Sequence, residues 1–169
     1  MFFHLDLMMY LPGSTKGMHF QHLVGRKKPC QLMINKGISF SQLEKWEEAV
    51  SAFDRAIALK PGDAEAWFNK GFSLVKLDRL EEAISALNRA TGSKPDYADA
   101  YLYKGDILAK LGKREEALSD CDRAIALKPY GYNAWINKFY CLKDLGRPEE
   151  AIICGRKANE LARSQINNP

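Results

Sequence analysis

Residues 64–97, from Ala64 to Tyr97, read AEAWFNKGFSLVKLDRLEEAISALNRATGSKPDY, and this stretch decides the fold. Moved along the chain by 34 residues, it meets itself. Glu81-Glu82-Ala83 returns as Glu47-Glu48-Ala49, Glu115-Glu116-Ala117 and Glu149-Glu150-Ala151. Asp54–Pro61 returns unchanged as Asp122–Pro129, two periods on. A fixed period of this length marks structural repeats stacked on one another. Four copies follow, over 30–63, 64–97, 98–131 and 132–165, and residues 1–29 stand outside the pattern.

Each copy holds two apolar stripes of helical period. In the second copy, Trp67, Gly71, Leu74 and Leu77 form one stripe, and Leu80, Ala83, Ile84, Leu87 and Ala90 the other. The break between them, at Asp78-Arg79, is short enough to force an antiparallel helix pair. The Glu-Glu pairs put negative charge in the first turn of each second helix, where the helix dipole favours it. Lys60-Pro61, Lys94-Pro95 and Lys128-Pro129 end those helices, because proline cannot continue them. Gly112 and Gly146 supply turns after two of the first helices. Small residues share columns (Gly37, Gly71 and Gly105; Ala49, Ala83, Ala117 and Ala151), and large ones share others (Trp67, Tyr101 and Trp135; Phe53 and Leu87). Alternating large with small lets paired helices reach native packing density.

Composition is that of an ordinary globular chain: 169 residues, 46% hydrophobic and 27% charged. No apolar run is long enough to span a bilayer. The net charge of +4 is misleading as a hint of nucleic-acid binding. Lys16, Arg26, Lys27 and Lys28 against Asp6 place +3 of it before the repeats, which keep only +1. Cys30, Cys121, Cys141 and Cys154 form no C-x-x-C and read as small buried thiols in a reducing compartment. His4, His19 and His22 have no ligand spacing to a cysteine, so neither a metal site nor a cofactor is expected.

Residues 1–29 open with an apolar cluster, Phe2 to Leu11, broken by Asp6 and ended by Pro12-Gly13-Ser14. With no leading positive charge and no clean cleavage site, it is a poor signal peptide. Three readings stay open: a poorly ordered tail or an artefact of the start site, an irregular cap on the first repeat, and an apolar segment of about residues 1–11 docking into a groove of its own or a neighbouring molecule. Arg26–Pro29 reads as a solvated linker.

The pattern W-x-x-x-G-x-x-L, followed by two alanines and a proline over 34 residues, resembles the tetratricopeptide repeat family. The resemblance covers about residues 30–165. It implies an all-α solenoid of antiparallel helix pairs wound as a right-handed superhelix, the first helices lining a concave groove. It also implies a non-catalytic scaffold in the cytoplasm that binds a peptide or helix of a protein partner. Lys36, Lys70, Lys104 and Lys138 depart from the family, which more often has leucine there; long stems lying along the helix with the ammonium in water would explain the column. The fourth copy departs further: Phe139 stands where the others have glycine, and Gly155 where they have Phe53, Leu87 or Cys121, which reads as a size swap across one contact. Asn159 replaces Ile57 and Ile125, and Ile152, Ile153 and Leu161 are expected to leave apolar surface for a further segment or for self-association through the terminal repeats.

On the implied groove, helical phase places Ile34, Phe68, Leu102 and Ile136 in one stripe. Asn35, Asn69, Tyr103 and Asn137 lie beside it, then Ile38, Phe72, Asp106 and Tyr140. Amides can pair with the backbone of an extended peptide while apolar neighbours bury its side chains. The clamp by which some family members hold chaperone C-termini needs two Lys, an Arg and two Asn. Over the first three repeats this chain offers Ile34, Ile38, Asn69, Asp99 and Tyr103. One repeat later it offers Phe68, Phe72, Tyr103, Asn133 and Asn137, so that mechanism is rejected. No nucleophile pair, P-loop or dinucleotide fingerprint is visible, and the repeats hold no histidine, so an enzyme is not expected. An RNA-binding helical repeat is a weaker alternative, because it needs a basic stripe that nearly neutral repeats do not supply.

Overall fold

A computed structural model describes the backbone of residues 15–167 and the side-chain surroundings of residues 29–164. Among the described residues there are eight helices and no strand. They are α1 (Thr15–Gln42), α2 (Trp46–Leu59), α3 (Ala64–Lys76), α4 (Leu80–Ser93), α5 (Ala98–Lys110), α6 (Arg114–Leu127), α7 (Tyr132–Asp144) and α8 (Pro148–Asn167). Successive helices pack on one another in chain order, giving an α-solenoid of helix pairs. The readings of Phe2–Ser14 lie outside the described residues. The linker expected at Arg26–Pro29 is instead helical, because α1 runs through Pro29 without interruption. Proline lacks the N–H that would have closed on the Gly25 carbonyl, so one hydrogen bond is missing there.

The turn inside each repeat is the same motif four times. The backbone N–H groups of Lys45, Arg79, Lys113 and Arg147 each donate to the carbonyl five residues back, at 2.9 Å. Glu44, Asp78, Gly112 and Gly146 each donate three residues back, at 3.1 Å. This double closure is a Schellman cap, and it requires a left-handed residue at the turn. Gly112 and Gly146 supply it at φ +80° and +70°, whereas Glu44 and Asp78 are held at +57° and +59°.

Between repeats, two of the three Lys-Pro turns are tied down by tryptophan. Trp67 Nε1 donates to the Pro61 carbonyl at 2.7 Å, and Trp135 Nε1 to that of Pro129 at 2.8 Å. These indoles are half-buried rather than core. Asp63 adds a side-chain cap to α3, accepting from the Ala66 N–H at 3.1 Å.

The small-and-large columns meet as pairs within each repeat. A methyl group built on Gly37 would lie 2.5 Å from the Phe53 ring, and one on Gly71 would lie 3.0 Å from Leu87. In the fourth repeat the pair is inverted, since a methyl on Gly155 would meet the Phe139 ring at 3.2 Å. All four cysteines are free and buried.

Three of the four lysines in the column find carboxylates, while Lys36 is exposed with its ammonium 5.6 Å from the Phe40 ring centroid. Lys70 pairs with Asp54 of the preceding repeat at 2.6 Å, and Lys138 with Asp122 at 2.5 Å. Lys104 reaches Asn88 of the preceding repeat and Asp120 of its own, each at 3.0 Å. Asp120 is buried, and that burial raises its pKa against the opposing effect of the Lys104 hydrogen bond.

Candidate binding groove

The first helices touch one another: α1 meets α3, α3 meets α5 and α5 meets α7. Among the described residues the backbones of successive second helices make no comparable close approach. Elements that approach on one side and splay on the other curve the stack, so α1, α3, α5 and α7 line its concave side.

A chain of aromatic rings crosses that side. Phe68 and Phe72 stand one turn apart on α3, and Tyr103 of α5 presents its ring edgewise to both, at centroid distances of 5.5 and 5.6 Å. Trp46, at the start of α2, meets Phe72 at 6.1 Å, and Tyr97, just before α5, lies 4.9 Å from Phe68. Edge-to-face arrangements of this kind are favourable for aromatic quadrupoles. Ammonium groups sit over the ends of the chain: Lys76 lies 5.5 Å from the Phe72 centroid and 5.9 Å from that of Trp46, and Lys94 lies 4.9 Å from that of Tyr97. Burial, with the nearby carboxylates of Glu65, Asp99 and Asp63, pushes the Tyr97 pKa up to about 12. Its hydroxyl therefore stays a neutral donor at physiological pH.

Two depressions flank Asn69. One, of about 440 Å³, is lined by Ile38, Ser41, Gln42, Glu44, Trp46, Phe72 and Lys76 together with Asn69. The other, of about 370 Å³, is lined by Ile38, Glu65, Phe68, Asn69, Lys94 and Tyr97. The Asn69 Nδ2 donates to the Glu65 carbonyl at 2.9 Å, which leaves its Oδ1 as the acceptor offered to a ligand. A third depression, of about 230 Å³, gathers Leu102, Tyr103, Asp106, Asn133 and Asn137.

The structure thus brings Ile38, Phe68, Asn69, Phe72 and Tyr103 together, and Leu102, Asp106 and Asn137 around a second spot beyond Tyr103. Ile34 is not on the groove floor. It is 0% exposed, packed with Cys30, Phe53, Ala56 and Ala66. Three residues before Gly37, it shares the helix side that closes on α2, and α3 seals it from the other flank. Asn35 is exposed, its Oδ1 accepting from Gln31 at 3.1 Å, and it lines none of these depressions. Ile136 is half-buried, and Tyr140 is exposed with its ring edge against Phe139 at 5.1 Å. Asp106 is paired with Lys110 at 2.8 Å.

Sequence reasoning missed Trp46, Tyr97, Lys76 and Lys94. Trp46 carried a signal, since its column otherwise holds Leu80, Arg114 and Pro148. So did Tyr97, whose column otherwise holds Asp63, Gly131 and Gln165. Among the described residues no group of three or more His, Cys, Asp or Glu is gathered to hold a metal ion.

Comparison with solved structures shows the same fold at low identity. The chain is similar to a crystal structure of MamA, with a TM-score of 0.79 and 22% identity over 87% of this chain and 86% of that one. It is similar to MamA 41-end from Desulfovibrio magneticus RS-1, with a TM-score of 0.74 and 24% identity over 80% and 77%. It is also similar to the Arabidopsis OM64 TPR domain, with a TM-score of 0.68 and 23% identity over 70% and 98%. Among curated proteins no relative matches. The sequence profile of the tetratricopeptide repeat matches residues 34–96 and 71–132, more than half of the chain. The chain belongs to the tetratricopeptide repeat family.

Proposed function

We propose that this protein is a non-catalytic binding module that holds a peptide or helix of a protein partner on its concave side, centred on Phe68, Asn69 and Phe72. The observation that carries the reading is the run of five rings, Trp46–Phe72–Tyr103–Phe68–Tyr97, bordered by depressions on both sides of Asn69. Aromatic surface of this kind supplies contact area at low entropic cost, and the flanking amide and charged groups fix the register of an occupant. The acidic Glu44, Glu65 and Asp106 stand among the basic Lys76 and Lys94, a mixture that favours a peptide over a polyanion such as RNA. The same proposal places the protein in a reducing aqueous compartment such as the cytoplasm: four thiols are free, and no helix among the described residues is long and apolar enough to cross a membrane.

The test is a peptide selection from a displayed library against the wild type. Selected peptides are then measured against a Phe68→Ala/Asn69→Ala/Phe72→Ala variant whose helicity is checked by circular dichroism. A loss of at least about tenfold in affinity is expected. Equal binding to both proteins removes the groove.

A further inference from the structure

Every internal junction of the solenoid repeats one set of contacts. A first helix offers a small residue, a lysine and a leucine at i, i+4 and i+8: Ala66, Lys70 and Leu74, then Ala100, Lys104 and Leu108, then Ala134, Lys138 and Leu142. All the alanines and leucines in these sets are buried. The preceding second helix answers the lysine with Asp54, Asn88 or Asp122. It also answers with an apolar residue, Val50, Ile84 or Leu118, packed into the junction.

The outer face of α8 keeps the apolar part of this answer and reverses the charge. Ile152, in the column of Val50, Ile84 and Leu118, is 52% exposed. Ile153, 64% exposed, replaces the exposed serines Ser51, Ser85 and Ser119. Arg156 stands where the internal repeats have Asp54, Asn88 and Asp122. It is exposed, and among the described residues no carboxylate lies within ion-pairing distance of it.

We propose that this face receives an α-helix of a partner protein, seated as α7 is seated on α6, that presents a small residue, a carboxylate and a leucine at i, i+4 and i+8. The carboxylate would meet Arg156 as the internal lysines meet aspartate. A second copy stacked end to end does not fit. The matching set on α1 is Leu32, Lys36 and Phe40. Leu32, 62% exposed, would bring a large side chain into a slot that elsewhere holds alanine, and Lys36 would be placed against Arg156. Reversed charge and enlarged bulk thus act together against endless stacking of the solenoid. This surface is separate from the groove and does not depend on it.

The test uses helix-stapled peptides of residues 132–144, one with the native sequence and one carrying Lys138→Glu, titrated by fluorescence anisotropy. Wild type is expected to prefer the Lys138→Glu peptide by about fivefold, and an Arg156→Asp protein to reverse the preference. Arg156 is exposed, so the exchange leaves packing intact. Binding of neither peptide, an unchanged preference in the Arg156→Asp protein, or loss of binding in the groove triple variant overturns the proposal. Sedimentation supplies a second arm. A Leu32→Ala/Arg156→Asp protein is expected to associate at concentrations where wild type does not. Wild-type association abolished by Ile152→Ser would make a second copy the occupant and also overturn it.

Discussion

Glu44 occupies a backbone conformation that its own side chain disfavours, and the cap around it shows why it is kept there. Its φ of +57° serves two turn-closing hydrogen bonds that the third and fourth repeats obtain with glycine. The left-handed region costs an L-residue about 1–2 kcal/mol, partly offset by the entropy glycine loses on folding. Glu44→Gly is therefore expected to stabilise by roughly 0.5–1 kcal/mol, read as a higher urea midpoint at constant slope. Asp78→Gly should gain less, because aspartate tolerates this conformation better. Asp120 gives a pH signature. Its folded pKa is raised, chiefly by burial, so the folded state holds that proton more tightly than the unfolded chain. The penalty on its charged form is present above the folded pKa and gone below the ordinary carboxylate value. Stability of wild type relative to Asp120→Asn should accordingly rise as pH falls through that window, measured by urea melts from pH 7 to pH 4. Individual positions were legible in the sequence where a column repeated. The pairing of Gly37 with Phe53 could be anticipated from columns, and so could the burial of all four thiols. Ile34 was misplaced because its column mates Phe68, Leu102 and Ile136 are only half-buried, whereas its own surroundings close on both sides.

Helix ends came from the period, and their chemistry explains the agreement: acidic first turns, Schellman turns and Lys-Pro stops recur with the spacing. What period and composition could not show was the reach of α1 back to Thr15, since nothing in 1–29 repeats and Pro29 reads as a stop. The lysine column was visible, but Asp54, Asn88 and Asp122, which meet Lys70, Lys104 and Lys138, sit sixteen residues earlier on a different repeat, a relation that appears only once the helices are stacked. Leu161, expected at the exposed edge, is instead buried, while Ile152 and Ile153 are exposed as expected. The inverted pair of α7 and α8 carries a direct test of helix packing. Phe139→Gly should cost on the order of 2 kcal/mol, less than a fully buried phenylalanine because the ring is half-buried. Adding Gly155→Leu should return about 1 kcal/mol of it, and simple additivity in the cycle would show that the two positions do not share a contact.

Taken together, the helices make a curved stack whose two ends and inner side differ in chemistry. The inner side carries linked aromatic rings over the first three repeats, and the outer face of α8 carries exposed isoleucines beside a reversed charge. The repeat architecture was readable from spacing alone, because each copy must bury its stripe on a neighbour. The groove was readable in part: Phe68, Asn69, Phe72 and Tyr103 come together as their phase required. Trp46 and Tyr97 join them from a helix start and an inter-repeat turn, positions that a first-helix stripe does not sample. The most direct measurement is an amide chemical-shift map of the protein titrated with a peptide selected against wild type. Binding on the concave side predicts the largest shifts at Asn69, Phe72 and Tyr103, with small ones along α4 and α6. Shifts concentrated on α4 and α6, with Asn69, Phe72 and Tyr103 unmoved, would contradict it.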